Sequence, residues 1–299
     1  MTRIYLDHAA TTPPDPRVLE AMWPMYSRYW GNPSSIYLEG QEAHHALDAA
    51  RKVCADLLGA SSREIVFTSG GSESDNAAIR GAAYAQRARN RGDHIVTTQI
   101  EHHAVLHTVE QLEREGFRAT YLPVDGDGVV DLEALEAAVD DKTSVVSIMA
   151  ANNEVGTVQP IAEASRIAKA RNPTVIFHTD AVQAAGAMDI TPAKLGVDLL
   201  SIAAHKLYGP KGVGLLYIKN RTPWQPMILG GSREKERRAG TENLAGIVGL
   251  ATAMKLAWDE MLERTAHSRR LRDRLLFELP ERVPDTVITG PADPERRLA

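Results

Sequence analysis

A chain of 299 residues, 43% hydrophobic and 24% charged, is long enough for a substantial core and for two domains. Its net charge of −5 gives no general attraction to nucleic acid or to an anionic membrane, and no apolar run reaches spanning length. One cysteine excludes an internal disulfide and, with an N-terminus MTRIYLDHAA that lacks a signal-peptide layout, points to a reducing, cytoplasmic setting.

Residues 4–13, IYLDHAATTP, read as a short extended piece and a turn, after which Asp15-Pro16 starts a helix that Pro24 is expected to interrupt. Beyond the break at GNPSS, the helical spacing of Leu47, Ala50, Cys54, Leu57 and Leu58 predicts a helix over 37–58. That spacing turns Cys54 inward as a packed, inert thiol. Residues 64–68 predict a strand that enters a helix through Ser69-Gly70-Gly71-Ser72. Ser72 with Asp75 three residues on fits a capping box, and the outward N–H groups of a helix N-terminus make Gly71 and Ser72 candidate ligands for an anion. For a lone GGS, an ordinary strand-to-helix turn is the plainer reading.

Strands at 94–98, 119–123, 144–149 and 175–177 then alternate with helices that begin near His103, Leu132 and Gly156. This order predicts a mostly parallel sheet covered on both faces. His102, Asn153 and Asp180 fall just past strand C-termini, the edge where open α/β sheets hold their ligands. An acid such as Asp180 is costly to bury after an apolar strand without a cationic partner; a helix N-cap is its bland alternative. Gln183 shares that turn. His102 offers an aromatic face and an imidazole suited to proton transfer, where the plain alternative is an exposed loop histidine; Asn153 offers an amide donor or simply holds its own turn.

The apolar run 197–204 ends abruptly in His205-Lys206-Leu207-Tyr208-Gly209-Pro210, leaving a lysine at the mouth of a buried strand. A partly desolvated amine there can add to a carbonyl, and the aldehyde of pyridoxal phosphate is the carbonyl expected. The protonated ring nitrogen of that cofactor would be the partner of Asp180, whose charge keeps the ring an electron sink. Residues 213–218 predict a further strand, antiparallel at the sheet. REKERR, at 233–238, reads as a solvated charged loop, and Gly240-Thr241 offers an amide and a hydroxyl suited to phosphate. A long helix from Leu244 towards His267 precedes another to about Leu279. Residues 286–289 look like a lone strand with nothing to pair it.

Together LDHAATTP, GNPSS, FTSGGSES, EHHAV, NNEVG, HTDAVQ, AAHKLYGPKG and RRAGTEN resemble the cysteine desulfurases of the class V aminotransferase group, in the family's order across nearly the whole chain. The resemblance implies the fold type I of pyridoxal-phosphate-dependent transferases, an α/β fold with a mostly parallel central sheet flanked by helices. Residues 15–255 would form the cofactor-binding large domain, and 1–14 with 256–299 an incomplete small α+β domain. Lys206 would hold the cofactor covalently, His102 stack on its ring and assist proton transfer, and Asp180 pair with the ring nitrogen. Asn153 and Gln183 would contact the ring-oxygen side. Gly71, Ser72 and His205 would bind the phosphate, joined by Thr241 from the other subunit of a homodimer.

The implied activity converts L-cysteine to L-alanine and passes the sulfur to a protein thiol as a persulfide. Sulfur-acceptor or iron–sulfur scaffold proteins would be the partners, with no nucleic acid, membrane or metal involved. The family often has serine at Ala203, which removes one expected hydroxyl contact to phosphate, and threonine at Ser72. The mobile loop bearing the family's catalytic cysteine and a later carboxylate-binding arginine have no counterpart in these residues, and Cys54 does not match that loop. Impaired sulfur transfer by this chain alone is therefore expected. A class V transaminase or selenocysteine lyase, or a non-catalytic shortened homologue serving as dimer partner or scaffold, are the alternative readings.

Overall fold

A computed structural model describes residues 4–299. Helix α1 (Pro16–Ser27) starts at Asp15, whose side chain accepts from the Arg17 N–H, and continues through Pro24. The expected interruption does not occur; Glu20, whose carbonyl Pro24 cannot serve, lies on the exposed side of the helix. Helix α2 (Leu38–Leu57) turns Ala43, Leu47, Ala50 and Cys54 inward, as its apolar spacing predicts. Strand β1 (Ile65–Thr68) then leads into α3 (Gly71–Ala88). The alternation continues through β2 (His94–Thr98), α4 (His103–Arg114), β3 (Arg118–Leu122), α5 (Leu132–Ala138), β4 (Thr143–Ser147), α6 (Ile161–Arg171) and β5 (Ile176–Asp180). A short α7 (Pro192–Leu195) precedes β6 (Leu199–Ala203); β7 (Gly214–Ile218), α8 (Leu244–Asp259) and α9 (Met261–Arg282) follow.

The strands form one sheet in the order β1-β7-β6-β5-β4-β2-β3. Only β7 runs antiparallel to its neighbours, because a short turn rather than a helical crossover joins it to β6. Every other pair is parallel. Successive strand residues face opposite sides, so each strand feeds two cores. Val66, Ile95, Val145, Ile176 and Leu199 pack under α3 and α4. Phe67, Val96, Val146, Phe177 and Leu200 pack against α2, α6 and α8 on the other face. Strands buried on both sides read as continuous apolar runs, the pattern of a parallel sheet.

Four further expectations change. Strand β5 runs through Asp180, so this acid is the strand's last residue and not one beyond it. The helix after Asn243 breaks at Glu260 and does not continue to His267. Residues 286–289 form no strand, as an unpaired extended segment has no ladder to hold it. REKERR is not simply a solvated loop: Glu234 is buried and its carboxylate takes both guanidinium nitrogens of buried Arg51, at 2.7 and 2.6 Å, together with the Phe67 N–H at 3.1 Å.

Candidate active site

The C-terminal ends of the parallel strands open into a cavity of about 720 Å³. Gly71 and Ser72 enter it from the start of α3, His102 from the start of α4, Asn153 from the loop after β4, Asp180 from the end of β5, Gln183 from the turn beyond, and His205 and Lys206 from the turn after β6. Thr241 is not among them. It lines a separate depression with Gly212, Arg238 and Asn243.

The start of α3 differs from the expected capping box. No side chain caps the helix at Gly70, whose φ of +154° suits glycine. Asp75 is buried at 1% exposure and lines the cavity. Glu73 instead reaches back to the Ser69 N–H at 2.8 Å and is itself gripped by Arg238 at 2.9 Å. No side chain therefore competes for the first amides of α3, and such a helix start favours an anion. A Cβ on Gly71 would lie 2.8 Å from Val182, so the turns after β1 and β5 approach closely only with glycine there.

His102 caps its own helix, with Nδ1 accepting from the Ala104 N–H at 3.1 Å. That bond fixes the tautomer and leaves Nε2 as the ring nitrogen available for proton transfer. Asp180 Oδ1 accepts from the Val182 N–H at 2.9 Å. Burial raises its carboxyl, and the Val182 amide, His102 and Lys206 draw it back towards the anion. Gln183 Oε1 is buried without a hydrogen-bond partner among the described residues. Asn153 donates to Glu154 at 2.9 Å.

Lys206 Nζ donates to the carbonyls of Ala9 and of Ala10, the latter at 3.0 Å. Burial pushes its ammonium below the usual lysine range, against the pull of Asp180, Asp7 and Glu154. His205 is also pushed down, by burial and then by Lys206 and Lys211, and its Nδ1 lies 3.1 Å from Thr11 Oγ1. The Thr12 backbone and hydroxyl both donate to the His205 carbonyl, at 3.0 and 2.9 Å, which ties the N-terminal turn to the lysine's turn. Asp7, Ala9 and Ala10 consequently form one wall of the cavity. Sequence reasoning missed that wall, as it missed Asp75 and Met149. The signal for the wall was available in the small, uncharged Ala9-Ala10 step, which lets a backbone approach a lysine closely.

Pyridoxal phosphate fits this donor set. One cavity holds an amine, a buried carboxylate with no guanidinium or ammonium hydrogen-bonded to it among the described residues, and the start of a helix that no side chain caps, groups whose chemistry suits the aldehyde, the ring nitrogen and the phosphate respectively. The thiol of Cys54 lies outside the cavity; burial, partly offset by Arg51, pushes it up to about 12, so it is not a ready nucleophile.

The profile of the Aminotransferase class-V family matches residues 4–299. The chain is 49% identical over 296 residues to cysteine desulfurase IscS of Clostridium botulinum, covering 99% of this chain and 74% of that protein. It is 51% identical over 296 residues to cysteine desulfurase IscS of Methanosarcina thermophila, covering 99% and 72%. Among solved structures, a NifS-like protein superposes with a TM-score of 0.95 at 44% identity, over 99% of this chain and 80% of that one. SspA in complex with cysteine superposes at 0.80 with 40% identity, over 85% and 72%. With its cavity at the strand ends and relatives of this kind, the chain belongs to the class-V aminotransferase family, alongside the cysteine desulfurases.

Proposed function

We propose that the chain is a pyridoxal-phosphate-dependent cysteine desulfurase, and that the residues converging on the cavity divide the work as follows. The Lys206 amine holds the cofactor aldehyde, and once displaced by L-cysteine it is the base that moves the substrate's α-proton. Asp180 holds the protonated ring nitrogen, His102 covers the ring and relays a proton through Nε2, and Asn153 and Gln183 serve the ring-oxygen side. Gly71, Ser72 and His205 hold the phosphate, with Thr241 supplied by the second subunit of a homodimer. The cofactor, when bound, supplies the electron sink that lets bonds at the substrate α-carbon break. The observation that carries this reading is the meeting of Lys206, Asp180 and an uncapped helix start in one cavity.

The final step gives sulfur to a thiolate, leaving alanine and a protein persulfide. Buried Cys54 is a poor acceptor, so the thiolate comes from outside these 299 residues, and the sulfur passes on to a sulfur-acceptor protein or an iron–sulfur scaffold. Residues 15–255 serve as the cofactor-binding domain, with 1–14 and 256–299 belonging to a smaller one. No helix among the described residues is long and apolar enough to cross a membrane, and a cytoplasmic setting suits a free thiol. Incubation with cofactor, L-cysteine and an added acceptor thiol is expected to yield alanine, with slow or no release when the acceptor is omitted. Pyruvate or selenide as the characteristic product would turn the reading towards a transaminase or a selenocysteine lyase, and rapid alanine formation without an acceptor would overturn the acceptor requirement.

A further inference from the structure

Two carboxyl groups beneath the cavity have no part in the proposed reaction. Glu101 immediately precedes His102 and is 5% exposed; its Oε1 accepts from Thr98 Oγ1 at 2.6 Å and from the Met149 N–H at 3.0 Å. Its Oε2 is buried with no hydrogen-bond partner among the described residues. Asp75, one turn into α3, likewise has a buried Oδ1 with no hydrogen-bond partner. His178 Nε2 is 3.6 Å from that oxygen but lies 3.0 Å from Ser201 Oγ, and its Nδ1 is 2.9 Å from Ser147 Oγ. Burial pushes the His178 imidazole down to about 3, so it brings no charge.

Asp180 is placed differently. It has the Val182 N–H on Oδ1, and His102 and Lys206 both favour its anion. We propose that Glu101 and Asp75 are positioning residues, held as un-ionised acids, which confine the negative charge of this three-carboxyl cluster to Asp180. The inference rests on the reading of Asp180 as the partner of the cofactor's ring nitrogen.

A buried carboxylate with one oxygen lacking a donor leaves that charge uncompensated, whereas a carboxylic acid places its proton on the orphan oxygen. Three neighbouring carboxyls cannot all ionise in a water-poor site, and the one that has the Val182 N–H and the nearby Lys206 amine keeps the charge. Burial and then the Asp180 charge push Asp75 well above the carboxylate range. Burial, aided by Asp180 and opposed by the Thr98 and Met149 hydrogen bonds, pushes Glu101 up to about 8. The charge of this buried cluster is then single and fixed on Asp180, which suits a single cation on the ring.

Glu101→Gln matches the shape of the acid and cannot ionise. An acid whose folded value of about 8 exceeds its ordinary 4.5 stabilises the fold fully below 4.5 and loses that contribution as pH rises towards 8. Melting curves of the holoprotein and of the cofactor-free protein are therefore expected to diverge between about pH 5 and about pH 8, wild type falling relative to the variant, with no further divergence above. Infrared spectra at neutral pH should show an un-ionised carboxyl band that Glu101→Gln diminishes. Glu101→Ala, which strands the Thr98 and Met149 donors, should weaken cofactor binding about tenfold, and Glu101→Gln should restore it to within about threefold of wild type. Asp75→Asn repeats the melting and infrared tests should the first variant fold poorly. Parallel melting curves, an unchanged band, or a glutamine variant as weak as the alanine one would discard the inference while normal cofactor uptake left the parent reading standing. Absence of cofactor uptake by wild type would overturn both.

Discussion

Asp180 ends a fully buried strand, and its carboxylate is costly to bury without a counter-charge. Asp180→Asn keeps the size and the Val182 contact but removes the anion. Losing one partner of a buried charge pair costs about 2–5 kcal/mol, so cofactor affinity should fall by roughly a hundredfold, read by equilibrium dialysis or absorbance titration. The meeting of Lys206, His102 and Asp180 at one edge was legible because each lies at or near the end of a strand, and strand ends share one edge of a parallel sheet. Asp75 was not. Its spacing from Ser72 imitates a cap, and only the packing of α3 against the strand ends shows that it points inward. The wall formed by Asp7, Ala9 and Ala10 depends on hydrogen bonds between residues nearly two hundred positions apart; the small Ala9-Ala10 step hints at a close approach but does not name its partner.

Among the elements, the segment between β7 and α8 is held by one buried ion pair. Arg51 on α2 grips Glu234 and stacks over Phe67, while Glu234 also takes the Phe67 amide. Glu234, Lys235 and Glu236 all adopt left-handed backbone conformations, with φ of 45°, 58° and 66°. This strained turn persists because the pair over-determines it. Arg51→Met leaves the Glu234 carboxylate buried and unpaired and should destabilise the fold by about 3–5 kcal/mol in denaturant titrations, the usual result of removing one partner. A run of six charged residues looks alike whether solvated or folded inward, so the sequence pattern could not single out Glu234. Elements with long, clear periods were easier: α2 and β6 lie within a residue or two of their expected spans, since their burial repeats at 3.6 or continues on both faces.

Across the whole molecule, the parallel sheet and its two cores were legible from the strand and helix alternation, but the order β1-β7-β6-β5-β4-β2-β3 was not. Strand order is set by which faces pack, not by local composition. Trp23 and Trp30 are 70% and 68% exposed, and Trp30 borders a second depression, beside that of Gly212 and Arg238, which also includes Thr241. Such a patch suits the second subunit that the proposed site calls upon for phosphate binding. Trp30→Asp should convert a dimer to a monomer in sedimentation and weaken cofactor binding together; monomers with unaltered affinity would place the full phosphate site within one chain. The most direct test of the central claim is borohydride reduction of the holoprotein followed by peptide mapping. The cofactor label is predicted on Lys206 alone, and a label on any other lysine would contradict the account.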